Sequence, residues 1–171
     1  LLLHSSKTQC SLIEHDCIKK WCNISIPVEK NGIVNIDNSK KNQALQIANS
    51  ETGIIQAVPK GISCTDGVQA VGKIECKFNE LQPEALILAS HKVCGPKGVG
   101  VLYIRDQELI EPTVIGGNQE FGLRAGTENF LLIGAFSEAL TYSVNLVKDG
   151  TWQEVETLRN MLENEVKEIA R

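Results

Sequence analysis

Ala89-Ser90-His91-Lys92-Val93-Cys94-Gly95-Pro96-Lys97-Gly98-Val99-Gly100 joins two apolar runs, and its reading decides the fold. The run before it, Ala85-Leu86-Ile87-Leu88-Ala89, has the length and composition of a buried strand and stops abruptly at Ser-His-Lys. The run after it, Val99 to Ile104, reads as a second strand. A histidine and a lysine therefore stand side by side where a buried strand gives way to a glycine- and proline-rich turn. Open α/β sheets place their ligand sites at such strand ends. A lysine partly desolvated there has a lowered pKa and an amine suited to Schiff-base chemistry, whereas a solvated loop lysine has neither property.

At 42% hydrophobic and 22% charged, the 171 residues suit one globular core. A net charge of −4, with no basic run interleaved with aromatics, argues against a nucleic-acid partner. The longest apolar runs are only a few residues, which predicts no membrane span. Leu1-Leu2-Leu3 is too short, and lacks the basic flank, for a signal peptide. Cys10, Cys17, Cys22, Cys64, Cys76 and Cys94 are scattered rather than framed in pairs, so reduced thiols and a cytoplasmic location are expected. Cys10, His15, Cys17 and Cys22 are metal-ligand types close in sequence, but without CxxC spacing no metal site is expected.

Along the chain, Ser11 and Glu14 form a capping-box pattern that predicts a helix over 11–22. Ile24 to Val28 and Ile33 to Ile36 read as short strands around a turn at Lys30-Asn31-Gly32. Ala44 to Ala48 is a buried strand running into polar Asn49-Ser50-Glu51-Thr52-Gly53, and Ile62 to Thr65 is another, ending at Asp66. Three apolar strands thus end in polar groups, which predicts a parallel sheet with a site along one edge. Gly116 to Thr127 is glycine-rich and polar, either an anion-binding segment or a mobile loop. From Asn129 the period becomes helical. Ile133, Phe136, Leu140, Val144 and Val147 form one stripe, and after a Thr151/Glu154 capping box Trp152, Val155, Leu158, Leu162, Val166 and Ile169 form another. Both stripes read as core or interface.

A lysine at one strand end and an aspartate at its neighbour suggest pyridoxal phosphate. The carboxylate keeps the pyridine nitrogen protonated, so that the ring can accept electrons from the substrate Cα. Gln69 can bond the ring hydroxyl, a histidine can stack on the ring, and His91, Ser90 and the Gly-Thr segment can meet the phosphate.

The motifs Glu14-His15, Asn49-Ser50-Glu51-Thr52-Gly53-Ile54-Ile55-Gln56, Asp66-Gly67-Val68-Gln69-Ala70-Val71-Gly72-Lys73, Ser90-His91-Lys92 with Gly95 to Gly100, and Gly116-Gly117 through Arg124-Ala125-Gly126-Thr127-Glu128-Asn129 occur in that order. Together they resemble the pyridoxal-phosphate cysteine desulfurases of the NifS/IscS type, within the class V aminotransferases. The resemblance implies an α/β fold: the large domain of a fold-type I transferase, a partial and mostly parallel sheet with Val99 to Ile104 as its antiparallel strand, followed by two long helices. It implies Lys92 as the Schiff-base lysine and proton shuttle, Asp66 on the pyridinium nitrogen, Gln69 on the ring hydroxyl and His15 on the ring face. His91 and Ser90 fall to the phosphate, Asn49 and Ser50 to the cofactor-binding loop, and Thr127 to the phosphate of the partner subunit in a homodimer. L-cysteine would be the substrate, converted to alanine with persulfide sulfur passed to an acceptor protein in iron–sulfur cluster assembly.

The same resemblance places the catalytic cysteine beyond Arg171 and the main phosphate-binding turn before Leu1. It divides the chain into a partial cofactor-binding domain, 1–148, and a helix at 149–171 leading towards a small C-terminal domain. Two crossover helices look cut down, one between Asp37 and Ala44 and one between Gln56 and Ile62. Ser50 replaces the second asparagine of the family's Asn-Asn-Glu, Asn118 replaces a third glycine, and Phe121 replaces a basic residue. Two alternatives stand beside a desulfurase: a non-catalytic remnant, and another class V enzyme such as a selenocysteine lyase or small-amino-acid aminotransferase. The Arg-x-Gly-Thr-Glu-Asn segment argues against the latter.

Overall fold

The computed structural model describes residues 8–170. A first strand, β1 (Gln9–Ser11), leads through a short helix, α1 (Asp16–Lys19), to β2 (Asn23–Ile26), which pairs with β1 in parallel. Next come β3 (Ala44–Gln46), β4 (Cys64–Asp66), a helical turn α2 (Phe78–Leu81), β5 (Ala85–Ala89) and β6 (Gly100–Ile104). These strands form one sheet in the order β3-β4-β5-β6, parallel except for β6, which runs antiparallel to β5. A parallel bridge between Gln9 and Gln43 places β1 beside β3. The mostly parallel sheet and its antiparallel β6 are as expected.

β3 and β4 are buried at every residue, as befits central strands covered on both faces. Neighbours along a strand point to opposite faces, and the core divides accordingly. Ala44 packs with Cys10, Ile18, Cys64 and Ala85 on one face, while Leu45 packs with Ile26, Val34 and Ile62 on the other. The six thiols, all among the described residues, are free.

The connections flanking β3 contain no helix. Residues 27–43 turn back through a Val28–Val34 bridge, which is all that forms of the expected strand at Ile33 to Ile36. Residues 47–63 turn back through an Ala48–Ile55 bridge and then run irregularly to β4. Ile55 is left 54% exposed, in accord with crossovers too short to carry a helix.

Two capping boxes are corrected. Ser11 is a buried strand residue paired with Ile26, and Glu14 reaches forward to β3, so the helix expected over 11–22 shrinks to α1, capped by His15. The last helices, α3 (Phe130–Lys148) and α4 (Thr151–Ile169), are joined by Asp149 and Gly150. Gly150, with φ +83°, takes the N-cap place itself without a side-chain bond, which leaves Thr151 inside the helix. α3 buries Phe136 and Ser143 and meets the turn after β5, where Ser143 Oγ donates to the Val93 carbonyl at 3.0 Å. By length and composition α3 is apolar enough to cross a membrane, which corrects the expectation that no segment is, although Glu138 lies mid-span. α4 buries no side chain.

Candidate active site

Because β1, β3, β4 and β5 run parallel, their C-terminal ends share one edge. That edge carries His15 on the loop after β1, Asn49 after β3, Asp66 closing β4, and Ser90–Lys92 after β5.

Asp66 is buried, and its Oδ1 accepts the Val68 N–H at 2.8 Å, which bends the chain into the turn bearing half-buried Gln69. Burial holds its carboxyl above the ordinary aspartate range, partly opposed by the nearby His15. Gly67 donates its N–H to the Ile87 carbonyl at 3.0 Å, and a Cβ there would sit 2.9 Å from Leu86 Cδ1, so a larger residue would push the Leu86 side chain aside. Lys73, at the far end of the same motif, donates from Nζ to the Lys92 carbonyl at 3.0 Å and so ties the Asp66 turn to the lysine segment. Burial, with Lys92 beside it, lowers the Lys73 pKa.

Ser90, His91 and Lys92 form a single 3-10 turn. The side chains of His91 and Lys92 are exposed, so of the two readings left open for Lys92 the solvated one describes this structure. Ser90 is fully buried, and its Oγ has no hydrogen-bond partner among the described residues and packs against Gly95, where a Cβ would collide with it. Cys94 follows in the left-handed region at φ +61°.

His15 is held from below. The carbonyl of Ile13 accepts from Gln46 Nε2 at 2.8 Å and from Asn49 Nδ2 at 3.0 Å, while Glu14 Oε1 accepts the Gln46 N–H at 2.9 Å. Asn49 Oδ1 takes the N–H groups of Glu51 and Thr52 and the Thr52 hydroxyl, so this side chain shapes its own loop. Ser50 is exposed on that loop. Thr127 lies apart from the group, in a groove of 620 Å³ it lines with Gly98 to Val101 and Arg124.

The sequence reading gave Gln46 and Lys73 no role and cast Glu14 only as a capping partner. Gln46 had a visible signal, a polar residue inside an otherwise apolar strand. The residues present fit a pyridoxal phosphate: Asp66 is a buried carboxylate in need of a cationic partner, and a half-buried amide, an imidazole and a primary amine share its edge.

Residues 25–171 match the aminotransferase class-V family. The chain is 35% identical over 153 residues to the mitosomal cysteine desulfurase of Encephalitozoon cuniculi, covering 74% of this chain and 35% of that protein. It is 31% identical to the cysteine desulfurase IscS of Dictyoglomus turgidum, covering 94% of this chain and 46% of the relative. That match extends over 186 positions, more than the chain's 171 residues, so internal residues of the relative have no counterpart here. Among solved structures, a NifS-like protein superposes with a TM-score of 0.84 at 26% identity, covering 97% of this chain and 53% of its own. A NifS-like protein from Rickettsia africae gives 0.84 at 25%, covering 96% and 52%. The chain thus spans about a third to a half of the curated relatives it matches and about half of these solved chains. Its fold is the α/β fold of these proteins, and the chain belongs to the aminotransferase class-V family, among NifS/IscS-type cysteine desulfurases.

Proposed function

We propose that the chain forms the central part of a pyridoxal-phosphate-dependent cysteine desulfurase. The observation that carries this reading is the shared strand edge, which carries buried Asp66 with Gln69 on the turn after it, His15 on the loop after β1 and Lys92 after β5. Asp66 holds the cofactor through its ring nitrogen and Gln69 through its ring hydroxyl. His15 faces the ring, and His91, Ser90, Asn49 and Ser50 complete the binding residues. Lys92 holds the cofactor covalently through Nζ and moves the proton at the substrate Cα. When bound, the cofactor supplies an electron sink for that carbon. Thr127, in its separate groove, serves the site of a second copy in a homodimer. The whole enzyme takes L-cysteine to L-alanine and passes persulfide sulfur to an acceptor protein. The free thiols fit a reducing compartment, the cytoplasm or one like those named for the mitosomal and mitochondrial relatives.

Incubation with pyridoxal phosphate, borohydride reduction and peptide mass mapping tests the reading. One pyridoxyl adduct on Lys92 is expected, lost in Lys92→Ala and weakened in Asp66→Asn. Labels spread over surface lysines such as Lys97 and Lys60 would overturn it.

The helix-free crossovers favour a second reading, a non-catalytic remnant of such an enzyme. In that case no lysine is labelled preferentially.

A further inference from the structure

Cys17 has no role in the cofactor reading, yet it touches a residue that does. Its Sγ lies 3.0 Å from His15 Nδ1, and that same nitrogen accepts the Cys17 backbone N–H at 3.2 Å. A ring nitrogen that accepts a backbone N–H carries its lone pair, which assigns the neutral ring proton to Nε2. The thiol proton therefore points at a base. A cysteine with an imidazole base in hydrogen-bond reach is an activated nucleophile.

The surroundings set how this pair works. Cys17 is exposed as a residue, so small molecules reach it. Its thiol is nonetheless sheltered: burial pushes its pKa up, and the nearby Asp66, Glu14 and Asp16 carboxylates push the same way, against its own backbone N–H. The resting group is a thiol, and His15 must take the proton as a new bond forms. Glu14 Oε2 is buried with no partner among the described residues, and Glu14 is within electrostatic range of both Cys17 and Asp66. The Asp66 and Asp16 carboxylates near Cys17 favour a cationic disulfide over an anionic one.

We propose that Cys17 and His15 form a thiol–imidazole dyad that exchanges with small aminothiol disulfides, making Cys17 a reversible modification site at the rim of the strand-end cluster. Cys17 Sγ attacks one sulfur of the disulfide while its proton passes to His15 Nδ1. The disulfide bond breaks, and the departing thiolate takes that proton from His15. The products are one mixed disulfide and one free thiol, the small disulfide being the oxidant. The modified sulfur no longer donates to His15, so exchange also alters the imidazole assigned to the cofactor ring. That consequence rests on the proposed function; the dyad does not.

The test uses the full chain without pyridoxal phosphate, so its outcome is independent of cofactor binding. Cystamine is added, and each cysteine's labelling rate is read by peptide mass mapping. Cys94 is the internal control, an exposed thiol with no imidazole hydrogen bond among the described residues. Cys17 should be labelled at least about tenfold faster than Cys94, a margin set well inside the roughly 100-fold or more that a positioned base contributes. The anionic disulfide 3,3′-dithiodipropionate should label Cys17 more slowly than cystamine. His15→Asn keeps an N-capping acceptor for α1 but offers no base, and should bring Cys17 down to the Cys94 rate with the Cys94 rate unchanged. Equal wild-type rates at Cys17 and Cys94, an unaltered Cys17 rate in His15→Asn, or faster labelling by the anionic disulfide would each overturn the dyad.

Discussion

The backbone N–H of Gln46 donates to Glu14 Oε1 at 2.9 Å, fastening the loop that carries His15 onto the end of a central strand. The second oxygen of the same carboxyl is buried without a partner among the described residues, and burial pushes the Glu14 pKa up to about 8. The folded protein therefore holds this proton across a range where the unfolded chain, with an ordinary glutamate pKa near 4.5, has released it. Stability is then fullest below the unfolded value and falls by about 1.4 kcal/mol per pH unit as pH rises towards the folded one. Asp66, also raised by burial, acts in the same direction. Glu14→Gln should match the wild type near pH 5 and exceed it near pH 8 in urea midpoint. A wild-type midpoint that climbs between those pH values would contradict this.

Asn49 spends its Oδ1 on three donors of its own loop and its Nδ2 on the Ile13 carbonyl. Asn49→Ala strands buried groups on both sides and should cost about 1–3 kcal/mol. Asn49→Asp keeps the acceptor and loses only the Ile13 bond, so it should fall between the alanine variant and the wild type at pH 7. If the two variants are equally unstable, the loop is held by something other than Oδ1.

These two residues also mark where sequence reading stops. β5 was legible to the residue because an apolar run of strand length ends in three polar groups, and Asp66 and Lys92 were legible as strand tails. The role of Glu14 was not. Ser11 and Glu14 have the spacing of a capping box, and only the paired β3, far off in sequence, explains why Glu14 turns towards Gln46 instead. Thr151 fails likewise: a left-handed Gly150 shortens the link to α3 and takes the cap position. Local patterns report local competition, and long-range partners decide it. The family motifs supplied roles for Gln69 and Thr127 that periodicity alone does not give.

Gly72 and Gly53 separate backbone strain from crowding. Both adopt positive φ, +76° and +72°. A Cβ at Gly72 would lie 2.7 Å from Ser143 Cβ and 3.2 Å from Val93 Cγ1, whereas nothing lies within 4 Å at Gly53. Gly53→Ala should cost about 1 kcal/mol of backbone strain. Gly72→Ala adds overpacking between the Asp66 motif and α3 and should cost at least about 2 kcal/mol. Urea denaturation of both variants measures the difference, and equal losses would show that α3 yields freely at Ser143.

α4 carries its apolar stripe in the open: Leu158 is 65% and Leu162 63% exposed, and the helix buries no side chain. A stripe with that periodicity, exposed from Val155 to Ile169, is suited to contact with another surface. Leu158→Glu with Leu162→Glu should therefore leave the urea midpoint within about 0.5 kcal/mol of the wild type, as for a surface change. The same double variant should sharply reduce self-association in sedimentation or light scattering, because it places charge where apolar area would otherwise be removed from water. A large loss of stability would mean that α4 packs back onto its own chain. An unchanged association state would instead assign assembly to another surface, with the groove beside Thr127 as the next position to alter.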